Sequence, residues 1–375
     1  MSQHTPFPTH VLIETTTRCN LRCKQCAHVI GKYDFADMTL EIFAQLRPLF
    51  PHLRQAALYG HGETFLYKHF FEMLAELKRY PASVYVTTNG TLLTEAVAER
   101  LVELGLDKLA VSLDAATPAL FNEIRRGADF EKVMQNIRAL NAVKKRKHQD
   151  DKPILSIMYC AMKSNIQELP KLVRLADELN MTHGVSVMNI VEYGALGESL
   201  VEHPEWAEAS VNEANRLAER LAVPLGGLTN GFEGLRVAPA RLSVWEKFYR
   251  NYREFARSFD RAGLLRLKIS RALRKMRAHS APVDAPNPPA APIGTRVVRV
   301  KKCRDPWEFL FVDVHGNIRP CCTSHRIMGN VLREDLAEIW DNAAYREFRA
   351  KMVSADIPEE CKTCIRREWQ TISLP

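Results

Sequence analysis

The sequence predicts an α/β fold built on a parallel sheet, and two observations lead to this prediction. Six short, β-rich apolar runs recur between residue 10 and about residue 190. Longer runs with helical periodicity lie between them, so the apolar period changes repeatedly from two to about 3.6 residues. Such β-then-α units are typical of parallel strands joined by right-handed crossovers. The pattern fits either an open doubly wound sheet or a partial barrel, and in both folds the functional residues gather at the carboxyl ends of the strands.

The elements follow from the same periodicity, taken in chain order. The predicted strands are 10–14 (HVLIE), 56–60 (AALYG), 83–89 (SVYVTTN), 108–114 (KLAVSLD), 154–160 (ILSIMYC) and 184–190 (GVSVMNI). The predicted helices between them are 40–50, 70–80, 95–105, 129–146 and 169–180. Beyond them, residues 200–280 are helical in character but less regular, and the proline-rich stretch 281–293 is predicted to be an extended linker.

The last part of the chain predicts a small compact unit. The stretch WEFLFVDVHGNIRPCC indicates a hairpin that turns at His315, Gly316 and Asn317. The following stretch, LREDLAEIWDNAAYREFRAKMV, indicates one helix over 332–353. The sequence shows no internal repeat at the periods typical of solenoid proteins.

Composition narrows the class of protein. Hydrophobic residues make up 46% of the 375, which excludes a chain disordered throughout. The sequence has no run of 18 or more apolar residues, so we expect no membrane-spanning helix. The amino terminus shows no secretory signal, and we therefore expect a cytoplasmic protein. In that compartment thiols stay reduced. Nine cysteines therefore indicate metal ligands or redox groups rather than disulfides.

The net charge of +8 is concentrated in one segment. Residues 241–280 hold 12 Lys or Arg against 3 Asp or Glu, which leaves the rest of the chain near neutrality. Aromatic side chains recur there at helical spacing, from Trp245 to Phe259, with arginines between them. Three interpretations stay open: a helix packed on the core, a wall of a site for an anionic substrate, or contact with an anionic membrane surface. No nucleic-acid-binding module accompanies the charge, so we expect no nucleic acid partner.

The most informative stretch is CNLRCKQC, in which Cys19, Cys23 and Cys26 have the spacing C-x3-C-x2-C directly after the first predicted strand. Three thiolates can hold three irons of a cubane cluster and leave the fourth iron open for another ligand. The alternative is a zinc or structural site completed by a distant cysteine, for which Cys160 is the spare thiol nearest in sequence.

In this position the motif resembles that of the radical S-adenosylmethionine (SAM) superfamily. The resemblance implies a partial (β/α)6 barrel, in which SAM chelates the open iron of a [4Fe–4S] cluster. It also implies that the reduced cluster cleaves SAM to methionine and a 5′-deoxyadenosyl radical, which removes a hydrogen atom from the substrate. The family usually has an aromatic residue before the third cysteine, where this chain has Gln25.

The resemblance also implies the residues that bind SAM. The stretch YGHGETF follows the second strand, and His61, Gly62 and Glu63 match the family's Gly-Gly-Glu, which binds the methionine amino group. Polar residues at the ends of the third and fourth strands contact the rest of SAM in the family. The candidate SAM-binding residues are Gly62, Glu63, Thr88, Asn89, Ser112, Asp114 and Arg126. Each strand-end residue has the alternative role of capping the following helix.

The carboxyl-terminal cysteines form the pattern C-x12-G-x4-C followed by C-x2-C. Taken alone, this pattern fits a zinc ribbon or a cubane. After a radical SAM core it resembles the SPASM domain in its shortened form, called twitch. The resemblance implies one auxiliary [4Fe–4S] cluster held by Cys303, Cys321, Cys361 and Cys364. Cys322 is an alternative to Cys321, and the roles of Cys322 and Cys160 stay open.

The resemblance divides the chain into a radical SAM core (1–195), a helical basic segment with its linker (196–293) and a SPASM/twitch domain (294–375). The expected function is a two-electron oxidation of a small, sugar- or cyclitol-like molecule, with flavodoxin or ferredoxin as the one-electron donor. The alternative is maturation of a ribosomally made peptide. Only nine residues precede the first strand, so for this alternative we expect the leader-binding domain to be a separate chain. A non-catalytic electron-transfer protein is the second alternative.

Overall fold

A computed structural model describes the chain over residues 6–30, 34–189, 197–200, 205–227, 296–354, 356–362 and 368–374. The strands of the core are β1 (His10–Ile13), β2 (Gln55–Leu58), β3 (Ser83–Thr88), β4 (Lys108–Ser112), β5 (Ile154–Ala161), β6 (Val185–Asn189) and β7 (Leu225–Gly227). Its helices are α1 (Leu40–Gln45), α2 (Phe70–Leu77), α3 (Glu95–Glu103), α4 (Pro118–Ile124), α5 (Phe130–Arg146), α6 (Leu169–Glu178) and α7 (Glu205–Leu221).

The tail has the strands β8 (Arg296–Lys302), β9 (Phe309–Val312), β10 (Asn317–Arg319), β11 (Gly329–Asn330) and β12 (Glu368–Leu374). Its helices are α8 (Asp305–Glu308), α9 (Leu336–Trp340), α10 (Ala343–Met352) and α11 (Glu359–Lys362). Short 3-10 turns cover Ala27–Ile30, Arg47–His52, Thr64–Leu66 and Ile166–Glu168.

Local sequence explains where the main helices begin. Thr94 and Asp129 precede α3 and α5, and their side chains accept hydrogen bonds from the backbone N–H groups of Val97 and Lys132. These bonds satisfy N–H groups that a helix leaves without an internal partner. The apolar faces of both helices then pack on the sheet.

The strand order decides between the two folds that the sequence allows. Strands β1 to β7 are parallel and lie side by side in chain order. A doubly wound sheet would reverse its order at one point, whereas a monotonic order puts every right-handed crossover on the same face. The core is therefore a partial β/α barrel, as predicted, with helices outside and an inner face opposite them.

Side-chain alternation separates the two faces of the sheet. Leu109 and Val111 of β4 belong to the large core shared with the helices. Leu12, Ala57 and Phe311 form a separate small apolar cluster on the inner face. Successive residues of a strand point to opposite faces, so Lys108, Ala110 and Ser112 face inward with this second cluster.

The tail joins the core through its own strands. Strand β9 pairs in parallel with β1, with Leu12 opposite Phe311, and the hairpin β9–β10 continues the sheet beyond β1. The hairpin turns at the predicted place, where Gly316 has a φ of +80°. The indole Nε1 of Trp340 donates to the carbonyl oxygen of Pro6 at 2.8 Å. The carboxyl-terminal unit is thus fixed to the strand that leads into the cysteine loop.

Several elements differ from the prediction. The single helix expected over 332–353 is two helices, because the side chain of Asn342 accepts from the N–H of Tyr345 at 2.9 Å and starts a new helix. Helix α4, strand β7 and the antiparallel pair of β8 with β12 were not predicted. Short elements such as these depend on partners far along the chain, which local periodicity does not reveal.

The middle segment is described only in part. Helix α7 leads into β7, which pairs in parallel with β6, so the sheet of the core continues past residue 195. The basic segment 241–280 and the linker 281–293 lie outside the described residues, and the expectations for them stay predictions. In the part of the chain that the structure describes, no helix combines the length and apolarity needed to cross a bilayer.

Candidate radical and iron–sulfur sites

The three clustered cysteines lie on one loop after β1. Cys23 is buried, whereas Cys19 and Cys26 are half-buried. The backbone N–H of Cys26 donates to the carbonyl oxygen of Cys23 at 3.0 Å, which forms a tight turn. The N–H groups of Arg22 and Lys24 donate to the carbonyl oxygens of Arg126 and Ile124 at 2.9 and 2.8 Å. The end of α4 therefore holds the loop in place.

The surroundings of these thiols fit a cluster. Burial raises the pKa of Cys23 to about 12, although the Arg125 guanidinium opposes the shift, and burial also raises the pKa values of Cys19 and Cys26. Iron must therefore displace the thiol protons when it binds. Within the described residues, no three His, Cys, Asp or Glu side chains are placed to hold a single metal ion. Three free thiols on one loop can supply three ligands of a [4Fe–4S] cluster.

The segment after β2 packs directly under this loop. The N–H of Gly62 donates to the carbonyl oxygen of Thr16 at 3.2 Å, and the N–H of Glu63 donates to that of Arg18 at 2.8 Å. A Cβ added at Gly62 would lie 2.4 Å from the Thr16 oxygen and 2.6 Å from the Arg18 oxygen. Glycine is needed here because two backbone segments touch.

We expect Gly62→Ala to displace the start of the cysteine loop, because both clashing atoms are backbone oxygens and cannot rotate away. The expected result is a loss of SAM affinity of about tenfold or more in the reconstituted protein. Equilibrium binding of SAM would measure it. Gly226→Ala is the matched control, because nothing lies within 4 Å of a Cβ added at Gly226. Unchanged SAM binding by the Gly62 variant would contradict the close approach.

The carboxylate of Glu63 links the ends of β2 and β3. It is 2% exposed and accepts from the N–H of Asn89 at 2.6 Å and from the hydroxyl of Thr88 at 2.7 Å. Burial raises the pKa of Glu63, and both hydrogen bonds oppose the shift. The side-chain amide of Asn89 in turn approaches the sulfur of Cys19 at 4.0 Å. An ammonium group entering here would meet a desolvated carboxylate next to the cysteine loop.

A second network reaches the loop from the end of β4. Asp114 is fully buried, and its Oδ2 accepts from Arg125 at 2.7 Å and from the side-chain amide of Gln25 at 2.5 Å. Its Oδ1 accepts from the N–H of Cys160 at 2.9 Å. The Arg125 Nη1 lies 4.0 Å from the sulfur of Cys23. Gln25, which replaces the aromatic residue usual in the family, thus connects the loop to Asp114.

Sequence reasoning missed Arg125. The structure leaves Arg126 exposed, with its carbonyl oxygen bonded to the loop, whereas Arg125 carries the buried guanidinium. A prediction of the short helix α4 would have indicated that Arg125 is buried. Residue 125 lies one helical turn after the buried Phe121 and therefore shares its buried face, which residue 126 does not.

Ser112, the remaining predicted SAM contact, is half-buried on the inner face at the end of β4. An apolar cluster lies on the β1 side of the inner face, four residues before Ser112 in the register of the sheet. Tyr59, Tyr85 and Phe309 pack against the cluster of Leu12, Ala57 and Phe311, and the rings of Tyr59 and Tyr85 meet edge to face at 5.5 Å. Such a lining excludes water, and a radical reaction requires this exclusion.

The predicted auxiliary ligands lie in the tail. Cys321 and Cys361 are buried, Cys303 is half-buried, and Cys364 lies outside the described residues. Burial raises the pKa of Cys321, whose sulfur lies 3.3 Å from the hydroxyl oxygen of Thr323. Its neighbour Cys322 instead packs against the inner-face cluster of Leu12, Ala57 and Phe311. The two adjacent thiols therefore have different surroundings.

Two regions of the chain match known family models. Residues 13–176 match the family model described as the radical SAM superfamily. Residues 303–365 match the model called SPASM, described as an iron-sulfur cluster-binding domain. The two matched regions contain all seven predicted cluster ligands.

Curated relatives match about half of this chain. A tungsten-containing aldehyde ferredoxin oxidoreductase cofactor-modifying protein of Pyrococcus furiosus is 29% identical over 172 residues, 44% of this chain and 47% of that protein. A probable GTP 3′,8-cyclase of Methanocaldococcus jannaschii is 31% identical over 194 residues, 50% of this chain and 60% of that protein. The matches thus span about half the length of these relatives.

Solved structures share the fold over most of the chain. SuiB of Streptococcus suis, in its complex with S-adenosylmethionine, has a TM-score of 0.59 and 17% identity. The likeness covers 92% of this chain and 68% of SuiB. At this identity it supports the architecture of the core and tail together.

Proposed function

Since the chain belongs to the radical SAM superfamily and carries a SPASM iron–sulfur domain, we propose that it oxidises a small, sugar- or cyclitol-like molecule by two electrons. The family assignment gives it [4Fe–4S] clusters and SAM as cofactors. When bound, these groups supply one-electron cleavage of SAM, removal of a substrate hydrogen atom, and acceptance of the electron that the substrate then loses.

One observation carries the proposal of an oxidation. Strand β9 pairs with β1, so the tail with its cysteines lies beside the strand that leads into the Cys19–Cys26 loop. Cys322, directly after the predicted ligand Cys321, packs on the inner-face cluster. A cluster held by Cys321 would therefore lie close to a substrate on the inner face, where it can take up an electron.

The oxidation balances without another oxidant. The alcohol carbon loses one hydrogen atom, which ends in 5′-deoxyadenosine. Its hydroxyl proton and one electron leave next, and a carbonyl group forms. With SAM bound as the oxidant, the other products would be methionine and 5′-deoxyadenosine. The electron released from the substrate would balance the one needed to cleave SAM.

The residues of the chain have separate roles in this proposal. Glu63 and Asn89 hold the methionine end of SAM beside Cys19, while Arg125, Asp114 and Gln25 support the loop from the side of Cys23. The aromatic inner face orients the substrate and excludes water.

Peptide modification is the second candidate. The structure of SuiB has also been solved with its precursor peptide SuiA bound. The likeness in fold to that structure covers 92% of this chain. The apolar inner face suits a peptide side chain as well as the body of a cyclitol.

The test uses protein reconstituted anaerobically with iron, sulfide, SAM and a strong reductant. Extract of the native host is divided by size into small molecules and peptides, and mass spectrometry follows 5′-deoxyadenosine. We expect the small-molecule fraction to stimulate its formation over the background without extract. Stimulation by the peptide fraction alone would favour the second candidate. A protein that only transfers electrons would form no 5′-deoxyadenosine with either fraction.

A further inference from the structure

The amino-terminal ends of the core strands line a polar cavity at the far side of the inner face from the cysteine loop. Its volume is about 170 Å³. Its lining residues are Gln55, Tyr85, Lys108, Ile154, Ser156, His183 and Ser186. The set contains one lysine, hydroxyl and amide groups, and no carboxylate. A cavity with this lining suits a negatively charged group.

Lys108 is placed to meet such a group. It begins β4 and faces inward, because Leu109 and Val111 point into the core under the helices. In the register of the sheet it lies between Tyr85 of β3 and Ile154 of β5. Its backbone is paired on both sides, which fixes the face of the sheet from which its side chain starts.

The bonding of Lys108 differs from that of the other lysines with limited exposure. Six buried or half-buried lysines in the described ranges donate to a carboxylate or a carbonyl oxygen: Lys24, Lys78, Lys144, Lys147, Lys152 and Lys351. For the half-buried Lys108, no described residue provides such an acceptor. A partly desolvated ammonium group without an anion is costly, and it gains most from an anionic ligand.

We propose that Lys108 binds an anionic group of the substrate, a carboxylate or a phosphate, at the floor of the barrel. This inference rests on the proposed function and specifies its substrate class. The hydroxyls of Ser156 and Ser186 and the amide of Gln55 line the same cavity and offer further hydrogen bonds to the anion.

The position of Lys108 also sets the shape of the substrate. Lys108 and Ser112 face the same side of β4, four residues or about 13 Å apart. The predicted SAM contacts lie at the Ser112 end. A molecule held by Lys108 and attacked near SAM must therefore be elongated, with its charge and its reacting carbon at opposite ends. Ala110 of β4 and its partner Thr87 of β3 lie between these ends and would contact the middle of the molecule.

The first experiment measures binding of pyrophosphate, as a probe, to the reconstituted holoenzyme by calorimetry. We expect Lys108→Gln to weaken binding by about tenfold or more, because a charge-assisted hydrogen bond is lost. Lys108→Arg should retain most of the affinity, which separates charge from folding. Lys132→Gln is the matched control, since this lysine is exposed on α5 outside the barrel. Equal affinity of the Lys108→Gln and wild-type proteins would overturn the inference.

The second experiment separates this inference from the proposed function. Host extract is divided by anion exchange as well as by size, and 5′-deoxyadenosine formation is followed. Stimulation by the retained, anionic fraction is expected, with Lys108→Gln requiring at least about tenfold more of it. Stimulation by an anionic peptide fraction would support the role of Lys108 and contradict the small-molecule proposal. Stimulation confined to the unretained fraction would overturn the role of Lys108 and leave the oxidation proposal intact.

Discussion

Replacing Cys23 with alanine is expected to abolish formation of 5′-deoxyadenosine. Cys23 is the most buried thiol of the cysteine loop, and its sulfur is the one that the Arg125 guanidinium approaches. Without it, the loop offers two thiolates to a cluster that requires three. The remaining iron sites would be exposed to exchange, and Arg125 would lose an anionic neighbour.

Iron analysis and electron paramagnetic resonance of the reduced protein provide the measurement. Iron content should fall by about half, because the auxiliary cluster has its own ligands. The change in the resonance signal on addition of SAM should disappear. Cys160→Ala is the control: Cys160 lies at the end of β5, outside the loop. Full iron content and SAM cleavage in the Cys23 variant would contradict its role as a ligand.

A second large effect is expected from Cys321→Ala. Cys321 is buried in the tail, and its loss should remove the auxiliary cluster, with iron content again falling by about half. Cleavage of SAM should continue, because the cysteine loop is unchanged. Substrate oxidation should fall by at least about a hundredfold relative to 5′-deoxyadenosine formation, because the substrate radical loses its electron acceptor.

Cys322→Ala is the matched control for this result, since the two residues are adjacent and differ in their surroundings. Its side chain packs on the inner-face cluster, so the variant should keep both clusters. Cys361→Ala should reproduce the effect of Cys321→Ala. If Cys322→Ala loses the auxiliary iron while Cys321→Ala retains it, the assignment of the two neighbours is reversed.

Much of the candidate site could be predicted because its residues follow strands. Glu63 comes after β2, Thr88 and Asn89 end β3, and Asp114 comes after β4. Parallel strands bring all their carboxyl ends to one edge, so these residues had to lie near the loop after β1. Arg125 follows a helix of seven residues that local periodicity did not reveal. The sequence indicated Arg126 of EIRRGADF as a SAM contact, and this stays a prediction, whereas the structure shows that the neighbouring Arg125 is the buried arginine.

The sequence by itself determined the order of the first six strands and the five predicted helices between them, the cysteine spacing and the resemblance that these carry. Each of these depends on neighbouring residues, through side-chain period, helix caps and metal-ligand spacing. The tertiary structure alone decided that β9 joins β1, that Cys322 rather than Cys321 faces inward, and that Lys108 meets no acceptor in the described chain. The physical reason is that pairing between distant strands and the surroundings of a half-buried charge depend on residues tens to hundreds of positions apart. Local sequence patterns do not reveal which of those residues come into contact.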